Sequence, residues 1–177
     1  MKSDIEKILL TEEDIAQTVN DLAEQITEDY RSKQLVIVVI MKGSLPFAAD
    51  LMRKIDLPLT VDFMQASSYG AGTTSGKLVI KRDLEEDITG KDLLIVEDIV
   101  DSGNTLSYLK KHFANSAASS VRVCALLSKP ERRETDVEVE YIGKIVPDEF
   151  VVGYGLDYNQ KYRNLPYIGI LKREIYE

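Results

Sequence analysis

The residues best suited to chemistry are two adjacent acids, Glu97 and Asp98, and the turn Asp101–Thr105 that follows them. The turn reads Asp-Ser-Gly-Asn-Thr and lies between an apolar segment typical of a buried strand and the start of a helix. Such a turn presents successive backbone N–H groups at a helix N-terminus, which binds a phosphate dianion. Its glycine lets the backbone approach a ligand closely, and its hydroxyl groups add hydrogen-bond donors. The turn therefore predicts a phosphate site.

The two acids next to this turn would repel a phosphate unless a cation lay between them. Mg²⁺ bound to phosphorylated substrates takes few ligands from the protein and prefers hard oxygen donors. The acids also lie where open α/β sheets bind ligands, beyond the carboxyl ends of the strands. A simpler interpretation, which the acids alone favour, is that Asp98 and Asp101 cap a helix. The segment as a whole favours a ligand site.

The elements that must position these groups are predicted by periodicity. Apolar runs without polar alternation predict strands covered on both faces, as in a parallel sheet: Leu35–Met41, Leu93–Val100 and Val121–Leu127. Other strands are predicted at Leu57–Ala66, Leu78–Lys81, Val137–Tyr141, Phe150–Gly153 and Tyr167–Leu171. Helices are predicted after the capping residue Thr11, near Pro46 and from Leu106. This order predicts an α/β fold with a mostly parallel twisted sheet flanked by helices, in a single domain that spans residues 1–177.

The composition argues against several classes of function. The chain has 177 residues, of which 44% are hydrophobic and 29% charged, and its formal net charge is −8. Because nonspecific binding to nucleic acids or anionic membranes needs a basic field, neither is expected. No apolar stretch approaches the ~20 residues needed to span a bilayer, and the N-terminus lacks a signal-peptide layout. The single cysteine leaves no intramolecular disulfide framework and no Cys-rich zinc site. We expect a cytoplasmic protein.

Leu93–Thr105 closely resembles the phosphoribosyl-pyrophosphate signature of type I phosphoribosyltransferases, which is an apolar strand, Glu-Asp, two apolar residues and Asp-Ser/Thr-Gly-x-Thr. Three further segments resemble the purine members of that family. Met41–Ser44 is similar to their pyrophosphate loop, and Ser67–Gly76 is similar to the flexible loop that closes over the reacting centre. Phe150–Asn159, followed by Arg163, is similar to the purine-site signature of hypoxanthine-guanine phosphoribosyltransferases. The segments occur in the family order, and the resemblance covers nearly the whole chain.

The resemblance implies the type I fold, with a small purine-binding hood formed by the chain ends. It implies purine salvage, in which the 5-phosphoribosyl group of 5-phosphoribosyl-1-pyrophosphate is transferred to hypoxanthine, and to guanine, with Mg²⁺ as cofactor. The products would be IMP or GMP and pyrophosphate. The loop Ser67–Gly76 would exclude water from the reacting carbon. Because family members commonly form dimers or tetramers, we expect a homo-oligomer that acts on small-molecule substrates.

The resemblance also implies roles for the residues of the phosphate site. Glu97 and Asp98 would face the ribose hydroxyls and the magnesium ion. Asp101 would be the catalytic residue that exchanges a proton with N7 of the purine, and its carboxylate is expected to be partly desolvated. The 5′-phosphate would be enclosed by the N–H and hydroxyl groups of Asp101, Ser102, Gly103, Asn104 and Thr105.

On the pyrophosphate side, the resemblance implies that Lys42 and Gly43 bind through a loop containing a cis Lys42–Gly43 peptide bond. Arg163 would contact the pyrophosphate as a charged fork. Asp157, at the purine site, would help hold a second Mg²⁺ towards the pyrophosphate. From local sequence alone, Lys42 is an ordinary surface lysine in a glycine turn, and Arg163 is a member of a surface ion pair.

On the purine side, the resemblance implies that Lys129 donates to the 6-oxo group, that Phe150 stacks on the ring and that Val151 contacts the ring edge through backbone groups. A donor at the position of Lys129 favours 6-oxopurines over adenine, because leaving a buried polar group unpaired is costly. The simpler interpretations are a solvated loop lysine and a phenylalanine of the core.

The sequence leaves two alternatives open. It does not rank hypoxanthine against guanine or xanthine, so a phosphoribosyltransferase that prefers xanthine or guanine is the first alternative. The second, from a different class, is a nucleic-acid-binding regulator that senses phosphoribosyl pyrophosphate. The acidic composition and the presence of Asp101, Lys129 and Arg163 favour the enzyme.

Overall fold

The computed structural model of the protein describes residues 1–69 and 77–177. The predicted closing loop Ser67–Gly76 therefore lies mostly outside the described residues, although its first residues continue a strand. In chain order, the strands and helices are β1 (Ile5–Leu10), α1 (Glu12–Asp29), β2 (Leu35–Ile40), α2 (Leu45–Met52), β3 (Leu59–Tyr69), β4 (Lys77–Arg82), β5 (Asp92–Val100), α3 (Asn104–Ala114), β6 (Ser120–Ser128), β7 (Tyr141–Ile145), β8 (Val151–Val152), β9 (Ile168–Leu171) and α4 (Arg173–Tyr176).

A six-stranded sheet in the order β4-β3-β2-β5-β6-β7 forms the body of the fold. β2 pairs in parallel with β3 and β5, β5 with β6, and β6 with β7, whereas β4 is antiparallel to β3. Every residue of β2 is buried, because its side chains alternate between two apolar clusters. One cluster includes residues of α1 and α2, and the other includes residues of α3. The predicted α/β fold with a mostly parallel sheet flanked by helices is confirmed.

A second sheet, in the order β1-β9-β8, joins the two ends of the chain by antiparallel pairing. It corresponds to the hood that the resemblance implied. The sequence did not predict β1, and the structure gives the reason. Three of its residues in a row are exposed, and its pairing with β9 is interrupted by two register shifts. No regular alternation of apolar and polar residues therefore marks this strand.

Helix α1 begins as its sequence predicts. The hydroxyl of Thr11 accepts a hydrogen bond from the Asp14 N–H at 3.1 Å, and the Asp14 carboxylate accepts one from the Thr11 N–H at 2.9 Å. This reciprocal pair is a capping box. The predicted apolar face is buried, and it comprises Ile15, Val19, Leu22, Ala23, Ile26 and, after the helix, Tyr30. No helix within residues 1–69 and 77–177 combines the length and the apolar character needed to cross a membrane.

The predicted strand at Val137–Tyr141 is wrong. Strand β7 begins at Tyr141 instead of ending there. Val137 and Val139 are partly buried against the apolar cluster that contains Leu106 and Leu109 of α3. Their alternation with polar residues therefore reflects packing of an irregular segment on the core, without pairing in a sheet.

Asp62 in β3 fixes the chain segment that follows β4. Its buried carboxylate accepts hydrogen bonds from the backbone N–H groups of Glu85 and Glu86, at 2.7 and 2.9 Å, and of Phe63 at 2.7 Å. Burial opposes the charge of Asp62, but the N–H groups and the nearby Arg82 outweigh burial and lower the pKa of Asp62 below its usual value. The charged carboxylate therefore stabilises this edge of the sheet.

The first prediction concerns the stability that Asp62 provides. We expect Asp62→Ala to lower the free energy of unfolding at neutral pH by about 1–3 kcal/mol, because three backbone N–H groups lose a charged acceptor. A pKa that is lowered by folding gives full stabilisation above the unfolded pKa of about 3.9, and this stabilisation is lost as the pH falls through the folded pKa. The difference between wild type and variant should therefore shrink at acidic pH. Urea denaturation at neutral and acidic pH measures both effects.

The matched control for this prediction is Asp87→Ala, since Asp87 is exposed and accepts a single 3.0 Å bond from the Thr89 N–H. A larger loss of stability in the Asp62 variant than in the Asp87 variant is expected. Equal stability of wild type and Asp62→Ala would contradict the prediction.

Candidate active site

A pocket of about 230 Å³ lies at the carboxyl end of β5, where the chain passes into α3. Its walls contain six of the seven residues predicted for the sugar and 5′-phosphate, and Asn104 is the exception. The sequence did not single out Ile99, which also lines the pocket because it lies between the acids and the turn. The complete lining is Glu97, Asp98, Ile99, Val100, Asp101, Ser102, Gly103, Thr105 and Leu106.

Gly103 makes the tight turn into α3 possible. It is the N-cap of the helix and has a φ of +84°, a left-handed conformation that favours glycine. A Cβ at this position would lie 2.6 Å from the backbone oxygen of Thr135. The side chain of Asn104 is held by the same neighbouring segment, because it donates to Glu134 at 2.9 Å and accepts from the Thr135 hydroxyl. The N-terminus of α3 is thus open towards the pocket, as a phosphate site requires.

The segment after β6 braces the turn from outside, which the sequence did not reveal. The backbone N–H groups of Glu134 and Thr135 both donate to the Ser102 carbonyl at 3.0 Å. The guanidinium of Arg133 donates to the Asp101 carbonyl at 2.8 Å. These bonds join positions about thirty residues apart, so that no local pattern could predict them. They hold the turn in place without filling the pocket, because Arg133, Glu134 and Thr135 are not among its lining residues.

Glu97, which is buried, and Asp98, which is partly buried, are adjacent carboxylates near the end of β5. Burial, together with the negative charge of Asp98, raises the pKa of Glu97 well above its usual value. Burial also raises the pKa of Asp98, although a bond from the Ile99 N–H and the charge of Arg163 act in the opposite direction. Within the described residues, no group of three or more His, Cys, Asp or Glu side chains is placed to hold a metal ion. An ion bound here would take most of its ligands from substrate and water, as Mg²⁺ does.

The loop at Lys42 follows β2 and contains the cis peptide bond, but at a different position from the one expected. The cis bond joins Met41 and Lys42, not Lys42 and Gly43. The N–H of Met41 still donates to the Met64 carbonyl of β3 at 2.8 Å. The Lys42 carbonyl already belongs to the next turn, where it accepts from the Leu45 N–H at 3.3 Å. The hydrogen bonds of the sheet therefore end at Met41, and those of the turn begin at Lys42.

Gly43 is packed between two other parts of the site. A Cβ added to Gly43 would overlap the Oδ2 atom of Asp98. A Cβ added to Gly155 would overlap the Gly43 carbonyl oxygen. The loop after β2, the second acid of β5 and the turn after β8 are therefore in direct contact, and this contact depends on the absence of side chains at the two glycines.

The two cations predicted for the pyrophosphate, Lys42 and Arg163, meet at Gln160. The Gln160 side-chain oxygen accepts from Lys42 Nζ at 3.4 Å and from Arg163 Nη2 at 3.3 Å. Arg163 also forms a 2.8 Å ion pair with Asp157 and donates to the Gly155 carbonyl at 2.7 Å. Gln160 was not predicted, because a single neutral amide carries no recognisable pattern. Asp157 is paired with Arg163 in this structure.

Lys129 lies at the end of β6, close to Asp101. Its Nζ donates to the Glu149 carbonyl at 2.7 Å, and its backbone N–H donates to the Val100 carbonyl at 2.9 Å. Burial lowers the pKa of Lys129, and the negative charge of Asp101 opposes this effect. The structure thus brings the predicted purine donor next to the predicted catalytic carboxylate.

Phe150 lies immediately before β8 and is surrounded by aromatic rings. It stacks on Tyr176 of α4 with a centroid separation of 4.8 Å and an interplanar angle of 26°. It meets Tyr158 edge to face at 5.5 Å and 90°. Val151 is buried in β8 and pairs with Ile170 of β9. Neither tyrosine was predicted, because each contact with Phe150 forms only after the hood has folded.

The fold and this site define a class of protein: a phosphate turn and paired acids at the end of a central parallel strand are the features of a phosphoribosyltransferase. Residues 7–159 match the family model of the phosphoribosyl transferase domain. The chain belongs to this family.

Relatives with known activity match this chain over its whole length. The hypoxanthine-guanine phosphoribosyltransferase of Bacillus subtilis is 49% identical, with 100% of this chain and 99% of the relative covered. That of Streptococcus thermophilus is 48% identical, with 99% and 98% covered. The crystal structure of a hypoxanthine phosphoribosyltransferase from Staphylococcus aureus has a TM-score of 0.97 at 49% identity, with 100% and 97% covered. The predicted family, enzyme class and role in purine salvage are confirmed, and the two alternatives are not favoured.

The second prediction tests the contact at Gly43. We expect Gly43→Ala to lower kcat/KM for phosphoribosyl transfer about 100-fold, because displacement of reacting groups by about 1 Å has effects of this size. Steady-state rates of pyrophosphate release in the presence of purine measure the loss. Gly90→Ala is the control, since a Cβ at Gly90 has nothing within 4 Å and the strain from its φ of +71° affects stability but not the site. The prediction is wrong if circular dichroism shows that both variants are folded and their activities are equal.

Proposed function

We propose that this chain transfers the 5-phosphoribosyl group of 5-phosphoribosyl-1-pyrophosphate to hypoxanthine and guanine, giving IMP or GMP and pyrophosphate. The observation that carries the proposal is the position of Asp101, which opens the phosphate turn and also lies near Lys129. A sugar phosphate held by the turn would have a carboxylate and a donor for an oxo group on its purine side. The activities of the relatives support the same substrates.

The 5′-phosphate is proposed to bind at the N-terminus of α3. The backbone N–H groups of Asp101–Thr105 and the hydroxyls of Ser102 and Thr105 are the donors. Two properties support this role: the left-handed Gly103 opens the turn, and the bonds from Glu134 and Thr135 brace it from outside. A preorganised cradle of this kind binds an anion without first having to become ordered.

The paired acids suit a magnesium ion, because they are hard oxygen donors and a cation would favour the charged form of Glu97, which burial and the charge of Asp98 disfavour. We assign Glu97 and Asp98 to Mg²⁺ and to the ribose hydroxyls. Asp157 is assigned to a second Mg²⁺, which requires its ion pair with Arg163 to open. When bound, Mg²⁺ supplies positive charge that stabilises the leaving pyrophosphate.

Lys42, Gly43 and Arg163 are proposed to receive the pyrophosphate. Lys42 acts chiefly through its backbone, and Arg163 offers a planar fork of donors to phosphate oxygens. The shared acceptor Gln160 supports this assignment, because it brings the two cations together, and the charge of Arg163 already acts on Asp98. Negative charge develops on the leaving group during transfer, and fixed donors aimed at that charge lower the barrier.

Lys129, Phe150 and Val151 are proposed to bind the purine. One N–H of the Lys129 ammonium group already donates to Glu149, so that others are available for the 6-oxo group. Adenine presents an amino group at that position, so that the remaining N–H groups of the buried Lys129 would face a donor instead of an acceptor. The donor therefore selects 6-oxopurines. Phe150 stacks on the ring, and backbone groups at Val151 contact its edge.

Asp101 is proposed to accept the proton of the purine N7 while another ring nitrogen attacks C1 of the ribose. The C1–pyrophosphate bond breaks with positive charge developing on the sugar, as in glycosyl transfers generally. The proton moves from N7 to the carboxylate, and the pyrophosphate leaves with the bonding electron pair. A carboxylate within reach of the purine can serve as base in one direction and as acid in the other.

The wider setting is part of the same proposal. The protein acts in the cytoplasm as a homo-oligomer, a dimer or tetramer, of one domain spanning residues 1–177. A relative from Trypanosoma cruzi, 38% identical, has a C-terminal region with a role in its oligomeric state and enzymatic activity. Light scattering of the purified protein measures the number of subunits.

The third prediction is the direct test of the activity. With Mg²⁺ and 5-phosphoribosyl-1-pyrophosphate, we expect nucleoside monophosphate from hypoxanthine and guanine and none from adenine. Chelation of Mg²⁺ with EDTA should abolish product, and added Mg²⁺ should restore it. Chromatography of the products, with xanthine as a further base, ranks the substrates. The proposal fails if adenine is the preferred base or if none of the bases yields a monophosphate.

The fourth prediction concerns base selection by Lys129. We expect Lys129→Met, which keeps the length of the side chain but removes the donor, to lower kcat/KM for hypoxanthine about 10- to 100-fold. The KM for the sugar donor should change far less, because Lys129 is assigned to the purine alone. Lys111→Met, at an exposed position of α3, is the charge-matched control. Equal effects on both substrates would contradict the assignment.

A further inference from the structure

Arg132 makes a contact with Asp101 that neither the family signature nor the phosphate turn accounts for. Its Nε lies 2.8 Å from Asp101 Oδ1, and its Nη1 lies 3.4 Å from Asp148 Oδ1. The single guanidinium therefore connects two carboxylates. One belongs to the proposed proton acceptor, and the other lies two positions before Phe150, the proposed stacking residue.

The two oxygens of Asp101 are in different environments. Oδ1 is buried beside Arg132, and among the described residues no N–H group points at it with hydrogen-bond geometry, so that the contact with Arg132 is an ion pair. The side chain of Asp101 as a whole is nevertheless 43% exposed. The exposure therefore falls on the other atoms of the side chain, Cβ, Cγ and Oδ2. Since Asp101 lines the pocket and Oδ1 is covered, Oδ2 is the oxygen left for a ligand.

Local structure fixes the place of Arg132. It ends a short 3-10 helix, Pro130–Arg132, that starts directly after Lys129, and its N–H donates to the Lys129 carbonyl at 3.2 Å. The neighbouring Arg133 bonds to the backbone carbonyl of Asp101 and to the Ser128 hydroxyl. The two arginines thus contact different parts of Asp101: Arg133 bonds to its backbone carbonyl, and Arg132 pairs with its carboxylate.

We propose that Arg132 is a positioning residue for Asp101, holding one carboxylate oxygen so that the other is presented to the purine. Through Asp148 it also fixes the position of this carboxylate relative to the segment that carries Phe150. The inference rests on the proposed function, because it assumes that Asp101 exchanges a proton with the base. Arg132 itself touches no reacting atom, and its effect is expected to act entirely through Asp101.

A simpler interpretation is an ordinary surface ion pair, since the side chain of Arg132 is 52% exposed. Such pairs add little to stability. This makes the test cleaner, because replacement of Arg132 should leave the fold intact. An ordinary ion pair predicts no change in turnover, whereas a positioning residue predicts a loss that depends on the presence of Asp101.

The fifth prediction is a double-mutant cycle of wild type, Asp101→Asn, Arg132→Gln and the double variant, with kcat and both KM values measured for hypoxanthine and the sugar donor. We expect Arg132→Gln to lower kcat about 10- to 100-fold, as misplacement of a catalytic group does, with the KM for the sugar donor unchanged. In the Asp101→Asn background, the same replacement should have no further effect, because the two residues act as one unit. Arg132→Lys, which keeps the charge but cannot span both carboxylates, should be intermediate.

Two further variants complete the design. Asp148→Asn should lower kcat less than Arg132→Gln does, and it should have no effect once Arg132 is replaced. Arg31→Gln is the matched control, because Arg31 is 67% exposed, pairs with Glu28 and has no place in the site. Thermal unfolding should be the same for Arg132→Gln and Arg31→Gln.

The outcomes separate the inference from the proposed function. The inference is overturned if Arg132→Gln turns over as fast as wild type, or if it loses the same factor in kcat with Asp101 and with Asn at position 101. In either case, the proposed function stands as long as the wild-type protein is active. A raised KM for the sugar donor with unchanged kcat also overturns the inference, because Arg132 would then support the phosphate turn. If wild type forms no nucleotide from any 6-oxopurine, the proposed function and the inference both fail.

Discussion

The constraint on which the site depends is the removal from water of two adjacent carboxylates, the buried Glu97 and the partly buried Asp98, at the end of a central strand. Burial raises the pKa of both acids; the charge of Asp98 raises the pKa of Glu97 further, whereas a hydrogen bond with Glu97 lowers that of Asp98. The strand that carries them is held in the sheet, because β5 pairs with β2 up to Val96 and with β6 up to Val100. A compensating positive charge must therefore be brought to the acids. The Arg163 guanidinium supplies part of it, and a bound cation with its substrate oxygens would supply the rest.

Parallel pairing explains why the other groups of the site gather around these acids. β2 and β6 lie on either side of β5 and run in the same direction, so all three strands end at the same edge of the sheet. The residue that follows each strand closely is a lysine or an acid of the site: Lys42 after β2, Asp101 after β5 and Lys129 after β6. The small sheet made by the chain ends then brings Phe150 and Arg163 to this edge. Sequence separation thus matters little, because the topology sets the distances.

The parts that could be predicted from the sequence are those whose cause is local. The capping box of Thr11 and Asp14, the fully apolar β2 and the continuous segment from Leu93 to Thr105 each carry their own signal within a short window. The parts that were missed depend on distant partners. β1 forms only because β9 is available for pairing, and Val137 looks like a strand residue although it packs on α3. The cis peptide bond expected at Lys42–Gly43 lies one residue earlier, at Met41–Lys42. A motif identifies the loop but not the peptide bond at which sheet pairing stops.

The same reasoning applies to the charged groups that the sequence did identify, whose present partners could not be foreseen. Lys129 donates to the Glu149 carbonyl, Asp101 is paired with Arg132, and Arg163 is paired with Asp157. Buried polar groups are costly unless they are paired, so that a stable ligand-free protein must provide internal partners. Binding of the proposed substrates at this site would therefore be an exchange of partners. A ligand gains affinity only where its hydrogen bonds with these groups are better than those of the internal partners that it replaces. This explains how a small number of fixed groups can discriminate between bases of nearly identical shape.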